Sequence, residues 1–335
     1  MPVTRKLSLP SKPAQVERGN IGFLVSRIVP ITISVIICTK NRLNDFKETV
    51  TSLVKQNRLP DEIVVVDSSD NENIREYLGS IEVPCEYRYF HSAPGLTYQR
   101  NIGVKKSNGD LIFFFDDDVE LDSNYIGLVE KVFKEDASHF IGAVGGRISA
   151  SQDVGKMTFV SWVKRKFFNT LRFVFLQSDF GNGMFRYSGM PTHPHLLRDN
   201  RYIECLSGCC MAFRREVFRS VIFDESLTGY GLMEDADISK QVLDSGCKIY
   251  YESSAMLNHK VSSQDRLKIG QLAEMTVLNY AYLFQKHWPR QLLRKFAFYW
   301  ALLGLFLLYG HSSLGRRGVI NGLKHVFLQQ KESIK

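Results

Sequence analysis

An apolar run that ends in three consecutive carboxylates is the feature that most restricts how this chain can fold. Residues 113–118 read Phe-Phe-Phe-Asp-Asp-Asp. Adjacent carboxylates repel each other and are costly to remove from water, so a buried strand that stops in three of them requires a compensating positive charge. A hard divalent cation, Mg²⁺ or Mn²⁺, held by oxygen ligands and by substrate phosphates meets that requirement. The alternative is an acidic loop at a strand end that binds no ion.

The length and composition of the chain are those of a globular protein. Its 335 residues suffice for one large α/β domain with an extension, or for two small domains, and its 44% hydrophobic residues exclude a mostly disordered chain. The net charge of +8 is compatible with a nucleic acid, an anionic membrane or a phosphorylated substrate. Because no zinc-finger spacing, basic zipper or RNP-like strand accompanies that charge, we expect no nucleic-acid partner.

The cysteines and the first thirty residues indicate a reducing compartment. The six cysteines lie mostly in apolar or small-residue runs and lack the paired CxxC spacing of a zinc site. We interpret them as buried thiols, and we expect a cytoplasmic location. Residues 1–30 contain five lysines and arginines and no apolar run long enough for a secretory signal. We predict that they form a basic flexible arm.

Segments typical of buried strands alternate with helical segments in the first third of the chain. Strands are predicted over 31–38, 63–66, 86–90 and 111–115, with helices over 45–56, 70–78 and 97–106. This alternation predicts a doubly wound, mostly parallel sheet flanked by helices. Ligands of such sheets bind beyond the carboxyl ends of the strands. Thr39, Asn41, Asp67 and the acidic triplet follow three of these strands, so we expect them to face one crevice.

The middle of the chain is less regular. Residues 150–200, rich in aromatic, basic, glycine and proline residues, are predicted to be an insert over the active face that holds an acceptor or contacts a membrane. The alternative is an amphipathic core helix followed by a loop. A strand and a helix start are predicted over 205–218, an acidic helix start at 234–237, and a strand over 249–251 that precedes His259.

The longest apolar run lies near the C-terminus, at residues 296–309. As a helix its roughly 14 residues extend about 21 Å, less than the bilayer core of about 30 Å, so it is too short to cross alone. Arginines and lysines flank it on both sides. This arrangement predicts a helix lying in an anionic leaflet, within a helical extension over 263–335. A packing helix or a dimer contact is the alternative.

An ordered set of motifs resembles family-2 glycosyltransferases, which have the GT-A fold. The first half matches at Ser34–Arg42, Glu62–Ser68, Gln99–Gly103 and Gly109–Asp118. The second half matches at Gly208–Arg215, Phe223–Glu225, Glu234–Ile238 and Asn258–His259. The resemblance covers about residues 31–260. It implies a nucleotide-sugar-binding half over 31–150 and an acceptor and catalytic half over 151–262.

The resemblance implies transfer of a sugar, with inversion, from a nucleoside diphosphate sugar to an acceptor hydroxyl. Processive members of the family carry a Gln-x-x-Arg-Trp motif and several membrane spans. Here Gln291-Leu-Leu-Arg294 is followed by Lys295, so we expect one sugar per encounter. The expected pathway is surface polysaccharide or lipid-linked glycan synthesis at the inner face of the cell membrane. The expected acceptor is a glycan or a lipid-linked glycan, and the enzyme would contact the membrane peripherally.

The same resemblance implies site roles. Asp235 would be the general base, and Asp118 and His259 would hold Mn²⁺ or Mg²⁺; an imidazole ligand suits Mn²⁺ better. Residues expected on the nucleotide-sugar side are Thr39, Asn41, Asp67, Arg100, Asp116 and Asp117. Residues expected on the acceptor side are Gly208 and Glu234.

Alternatives remain for individual residues and for the whole chain. Acidic residues stabilise any helix start, His259 could be a lone structural histidine, and Arg100 a surface helix residue. The chain could be a non-catalytic nucleotide-sugar-binding protein of the same fold. It could also be a sugar nucleotidyltransferase, although that class usually carries a glycine-rich basic loop after its first strand, and residues 38–42 contain no glycine.

Overall fold

A computed structural model describes residues 30–149, 159–194, 197–260 and 267–332. Residues 1–29, most of the predicted basic arm, lie outside the described residues. The strands are β1 (Ile33–Thr39), β2 (Glu62–Asp67), β3 (Glu86–His91), β4 (Leu111–Asp116), β5 (Val119–Leu121), β6 (Ile141–Ser149), β7 (Arg201–Ile203), β8 (Cys210–Arg214) and β9 (Lys248–His259). The helices are α1 (Leu43–Leu53), α2 (Asn73–Ser80), α3 (Leu96–Lys106), α4 (Tyr125–Glu135), α5 (Phe159–Val174), α6 (Glu234–Asp244), α7 (Ile269–His287), α8 (Leu292–Tyr309) and α9 (Ser313–Glu332), with a 3₁₀ helix at Arg215–Arg219.

The strands form one mixed sheet in the order β3-β2-β1-β4-β8-β6-β9-β5, and β7 pairs with β9. The first four strands in this order are parallel to one another. Strand β8 then runs antiparallel to both β4 and β6, and β6 is parallel to β9. The predicted fold class, a mostly parallel sheet flanked by helices with a C-terminal helical region, is confirmed.

Helices cover both faces of the sheet because the inner strands are apolar on both sides. In β4, Phe113 and Phe115 point to the face that is packed by α1 and α4. Phe114 points to the other face, where α3 and α6 pack and where its ring lies 5.1 Å from that of Phe223. Successive side chains of β4 point to opposite faces of the sheet, and both faces are covered by helices. Every residue of this run is therefore apolar.

Strand pairing brings the predicted site residues to one edge of the sheet. Thr39 lies opposite Asp67 across the β1–β2 pair, and the β1–β4 pairing ends at Asp116. Strand β5 follows the acidic triplet directly and runs antiparallel to the end of β9. This pairing returns His259 to the triplet from a distant part of the chain.

The C-terminal helices α7, α8 and α9 share an apolar cluster of their own. Helix α8 has 18 residues and begins at Leu292, four residues before the predicted run, so the predicted length was too short. Among the described residues, α8 is the one helix whose length and composition would allow it to cross a membrane. About a third of it, 33%, is buried in the protein. Helices α7 and α9 lie within the predicted helical extension over 263–335, whereas helix α4 and strands β5, β6 and β7 were not among the predicted elements.

Candidate active site

The carboxyl ends of β1 and β4 open into a cavity of about 1040 Å³. The cavity is also bordered by α3, by the start of α6 and by the loop before β8. All but one of the predicted site residues line it: Thr39, Asn41, Arg100, Asp116, Asp117, Asp118, Gly208, Glu234, Asp235 and His259. The predicted convergence of the acidic triplet, Asp235 and His259 on one cavity is therefore what the structure has.

Asp67 is the predicted residue that does not line the cavity. Its carboxylate is fully buried and accepts hydrogen bonds from the Ser69 amide at 2.8 Å and from the Tyr89 hydroxyl at 2.9 Å. Ser68 and Asp70 line the cavity in its place. Asp67 thus anchors the end of β2, and its expected role on the nucleotide-sugar side stays a prediction.

Asp116, Asp118 and His259 form a cluster that can hold a metal ion. One ligand atom from each lies within 4.8 Å of the others, and His259 Nε2 is 2.9 Å from Asp118 Oδ1. Burial lowers the pKa of His259, but hydrogen bonds to Asp118 and Cys209 outweigh burial and raise it to about 11. Two carboxylates and an imidazole that has given up its proton are a donor set that fits Mn²⁺, so binding of the ion would displace the proton that His259 shares with Asp118.

Asp117 points away from this cluster. Its Oδ2 accepts a 2.7 Å hydrogen bond from the Thr39 hydroxyl, and its Oδ1 lies 3.1 Å from Arg42 Nη1. Burial raises the pKa of Asp117 to about 7, although Arg42 and Thr39 oppose the rise. The acidic triplet is therefore divided, because alternate carboxylates face the metal cluster and the middle one binds Arg42. The sequence prediction did not include Arg42 as a site residue, although it lies within a matched motif.

Asn41 joins two loops at the edge of the cavity. It has a left-handed backbone with φ of 56°, which asparagine tolerates better than most residues. Its side-chain amide donates to Asp70 Oδ2 at 2.8 Å, and its Oδ1 accepts from the Asp70 amide at 3.0 Å. These reciprocal bonds hold the loop after β1 against the loop after β2.

Arg100 is buried beneath the cavity, so the interpretation of it as a surface helix residue is wrong. Its Nη2 donates to the Gly208 carbonyl at 2.8 Å and lies 3.2 Å from Asp116 Oδ1, and its Nη1 pairs with Glu234. The guanidinium also lies over the Phe223 ring, 5.4 Å from its centroid. Burial lowers the pKa of Arg100, but Glu234 and Asp116 outweigh it and raise that pKa. Arg100 thus connects the predicted donor side to the predicted acceptor side.

Position 208 has to be a glycine because the Glu234 side chain occupies the space that a larger side chain would need. A Cβ at position 208 would lie 2.7 Å from Glu234 Oε1 and 3.5 Å from Asp235 Cβ. Burial raises the pKa of Glu234 to about 8, although Arg100 opposes the rise. A glycine here allows the backbone before β8 to pack directly against the two carboxylates at the start of α6.

Asp235 is held in a defined orientation in the first turn of α6. Its Oδ2 accepts a 3.0 Å hydrogen bond from the Gly208 amide, and its Oδ1 accepts one of 2.8 Å from the Ala236 amide. His193 Nδ1 lies 3.7 Å from Asp235 Oδ2 and 2.9 Å from the Leu206 carbonyl. The sequence prediction missed His193. Nothing in the loop around it indicates that it lies close to Asp235, which is about forty positions later in the sequence.

Asp237 belongs to the same acidic helix start but serves another purpose. It is fully buried, and its carboxylate bonds to His287 Nε2 at 2.8 Å, to Lys286 Nζ and to the Gln241 amide. Both His287 and Lys286 lie at the end of α7. The acidic cluster therefore splits into Glu234 and Asp235, which face the cavity, and Asp237, which attaches α6 to the C-terminal helices.

Comparison with known proteins identifies the family. The family model for Glycosyl transferase family 2 matches residues 34–222, more than half of the chain. The chain belongs to glycosyltransferase family 2. The ordered motifs in the sequence predicted this family.

Curated relatives of this glycosyltransferase are distant. A glucosyl-dolichyl phosphate glucuronosyltransferase of Haloferax volcanii is 25% identical over 245 residues, which cover 68% of this chain and 69% of that protein. An uncharacterized glycosyltransferase of Rickettsia bellii is 31% identical over 129 residues, which cover 38% of this chain. The alignment spans only 18% of the length of the Rickettsia protein.

Solved structures similar to the glycosyltransferase have the GT-A fold. The S. aureus TarS 1–349 structure in complex with UDP-GlcNAc has a TM-score of 0.58 at 15% identity, covering 88% of this chain and 80% of that one. The mannosyltransferase PcManGT of Pyrobaculum calidifontis, in complex with GDP-Man and Mn²⁺, has a TM-score of 0.54 at 15% identity, covering 90% and 81%. At this identity the likeness shows the fold.

Proposed function

We propose that this glycosyltransferase is an inverting, metal-dependent enzyme that moves one sugar per encounter from a nucleoside diphosphate sugar to an acceptor hydroxyl. The observation that carries the proposal is the shared cavity, in which the cluster of Asp116, Asp118 and His259 faces the same space as Asp235. The reaction needs a positive charge that neutralises the departing nucleoside diphosphate, which the metal cluster would supply. It also needs a base that takes the proton of the incoming hydroxyl, which Asp235 would supply.

Asp235 is the proposed general base. Two backbone amides hold its carboxylate, so one oxygen can receive the proton of the acceptor hydroxyl without a change of rotamer. The acceptor oxygen then bonds to the anomeric carbon from the face opposite the diphosphate. The bond from that carbon to the phosphate oxygen breaks, and its electron pair leaves with the nucleoside diphosphate. One proton ends on Asp235, and the configuration at the anomeric carbon is inverted.

Asp116, Asp118 and His259 would hold the divalent cation, Mn²⁺ or Mg²⁺. When bound, such an ion acts as a Lewis acid that neutralises the diphosphate. Arg100 contributes a second positive charge, and its bonds to Asp116 and Glu234 fix the two sides of the cavity relative to each other. Thr39 and Arg42 orient Asp117, which leaves its neighbours available to the cation.

The finer assignments are also proposals. The relatives include a glucosyl-dolichyl phosphate glucuronosyltransferase, and the similar structure of TarS is a complex with UDP-GlcNAc; both support a nucleotide-sugar donor and a glycan or lipid-linked acceptor. We propose the donor half at residues 31–150 and the acceptor half at 151–262. We also propose surface polysaccharide or lipid-linked glycan synthesis at the cytoplasmic face of the cell membrane.

The test is release of nucleoside diphosphate from a panel of nucleotide sugars with and without Mn²⁺. Asp235→Asn should lower the rate by about 10²–10⁴-fold, because the base is lost while the amide keeps the shape of the carboxylate. Asp244→Asn, at the other end of α6, is the matched control and should retain the rate. Full activity of Asp235→Asn would remove that residue from the role of base.

A further inference from the structure

Helix α8 is apolar on the side that faces solvent as well as on the side that packs. Its buried stripe includes Phe298, Leu302 and Leu305. Its exposed stripe, at helical spacing, consists of Leu292, Leu293, Phe296, Trp300, Leu303 and Leu307. Phe296 is 67% exposed. A helix that is hydrophobic all round is normally buried on all sides, in a protein core or in a membrane.

Helix α5 extends the same apolar surface. Trp300 Nε1 on α8 donates a 2.8 Å hydrogen bond to the Val174 carbonyl at the end of α5, and the Trp300 ring stacks on Phe175 at 4.8 Å. Helix α5 exposes Phe167, which is 62% accessible, together with Phe168. We call the exposed apolar faces of α5 and α8 the two-helix platform.

The segments of the chain that contain the two helices are basic and contain no acidic residue. Residues 275–331 contain eight lysines and arginines and no aspartate or glutamate, so this segment alone carries a charge equal to that of the whole chain. Residues 154–178 contain five basic residues and again no acidic one. Two copies of such a surface would repel each other, whereas an anionic lipid surface would attract it.

The geometry favours a helix that lies in one leaflet over one that spans the bilayer. At about 1.5 Å per residue, 18 residues extend about 27 Å, slightly less than a bilayer core of about 30 Å. One side of α8 is also occupied by the protein, since the Phe298 ring stacks on Phe284 of α7 at 4.4 Å. Only the opposite side is open to lipid.

We propose that the two-helix platform docks this enzyme on an anionic bilayer, with α5 and α8 lying side by side at the depth of the headgroups. This deepens the proposed function and rests on it for the nature of the acceptor. Met190 lines the active-site cavity and packs in the same apolar cluster as Phe298 and Leu302. The buried face of α8, opposite the platform, therefore supports one wall of the cavity, where a lipid-linked acceptor would present its sugar end.

The experiment is flotation of the full chain with vesicles of phosphatidylcholine, with and without phosphatidylglycerol. The wild-type protein should float with the anionic vesicles and much less with the neutral ones. Phe296→Glu combined with Leu303→Glu should lower the partition coefficient about tenfold or more, because two large apolar side chains no longer enter the lipid. Ile222→Glu changes a residue that is 61% exposed elsewhere and is the matched control, which should bind as the wild type does.

Two readouts keep the result clear. Nucleotide sugar and Mn²⁺ should stabilise each variant as much as they stabilise the wild type, because each variant is folded and its cavity is unchanged. This measurement distinguishes a failure of membrane docking from a failure of the proposed chemistry. Equal flotation of the double variant and the wild type would overturn the proposal. So would a wild-type dimer that the double substitution dissociates while vesicle binding is absent, because the platform would then be an interface between two copies.

Discussion

Replacing Asp237 with asparagine should weaken the attachment of α6 to α7 without removing the proposed base. Asp237 is fully buried, and its two carboxylate oxygens share the side chains of Lys286, His287 and Gln241. Asparagine has nearly the same shape, but it carries no charge and keeps only one acceptor oxygen. The substitution therefore removes electrostatic attraction with little change in packing.

The expected loss can be worked from the exposure of the partners. Removing one member of a buried ion pair costs about 3–5 kcal/mol when the other charge is stranded. Lys286 is not fully stranded, because its side chain is 29% exposed and also bonds to Asp224. His287 is only 5% exposed, and its Nδ1 also lies 3.7 Å from Asp244 Oδ2. We therefore expect a loss at the lower end, about 3 kcal/mol of unfolding free energy.

The assay is equilibrium unfolding in urea, followed by the fluorescence of Trp288. This ring is buried and meets the His287 ring edge-on, with centroids 5.7 Å apart, so it reports directly on the region that changes. Glu135→Gln on α4 is the control; its pair with Lys131 is 68% exposed on both sides, and its loss should be too small to measure.

Two results would refute this reasoning. A loss below about 1 kcal/mol for Asp237→Asn would mean that the buried pair does not hold α6 in place. A fall in nucleoside diphosphate release as large as that of Asp235→Asn would contradict the division of the acidic cluster into structural and catalytic members.

Three further predictions concern packing, pH and the cation. Gly208→Ala, whose Cβ would meet Glu234 Oε1 at 2.7 Å, should destabilise the protein by about 1–3 kcal/mol. The control Gly79→Ala, whose Cβ would have nothing within 4 Å, should melt at the wild-type temperature or above. Equal melting temperatures of the two variants would contradict the packing argument. Burial raises the pKa of Asp224, but bonds from a lysine and a tyrosine of α7 outweigh it and hold that pKa below its usual range. The unfolded chain therefore binds more protons than the folded one, and stability should fall as pH drops through about 4. Asp224→Asn should flatten that acid limb of the urea midpoint, and an unchanged slope would count against it. Mn²⁺ at 100 times its Kd should stabilise the wild type by about 2.7 kcal/mol and so raise its melting temperature, but it should not raise that of Asp118→Asn. An equal rise in both proteins would remove Asp118 from the metal site.

Strong local patterns accounted for the fold of residues 31–118. Strands β1 to β4 are rich in β-branched or aromatic residues, and helices α1 and α2 show apolar residues at helical spacing, so period and length were sufficient there. Helix α3 has no such stripe, since its buried residues are Thr97, Gln99, Arg100 and Gly103. Strand β6 was missed because glycines interrupt it. One of them, Gly146, is required because a Cβ would collide with the Tyr125 ring, and that contact forms only in the folded chain.

Residue types at the ends of strands and the matched motifs predicted ten of the residues that line the cavity, but not the way in which the charges pair. Asp117 and Asp118 are neighbours in sequence, yet one bonds to Arg42 and Thr39 and the other to His259. Both residues lie in the turn between β4 and β5, and the position of each partner decides which one it meets.

Periodicity and the order of short motifs were enough to establish the four parallel strands, the family and ten of the residues that line the cavity, because both are properties of neighbouring positions. The partners of Arg100, the burial of Asp67, the separate task of Asp237 and the joining of α5 to α8 follow only from long-range packing. Burial and pairing depend on which distant elements meet, and a buried charge takes its free energy from those neighbours rather than from its own segment.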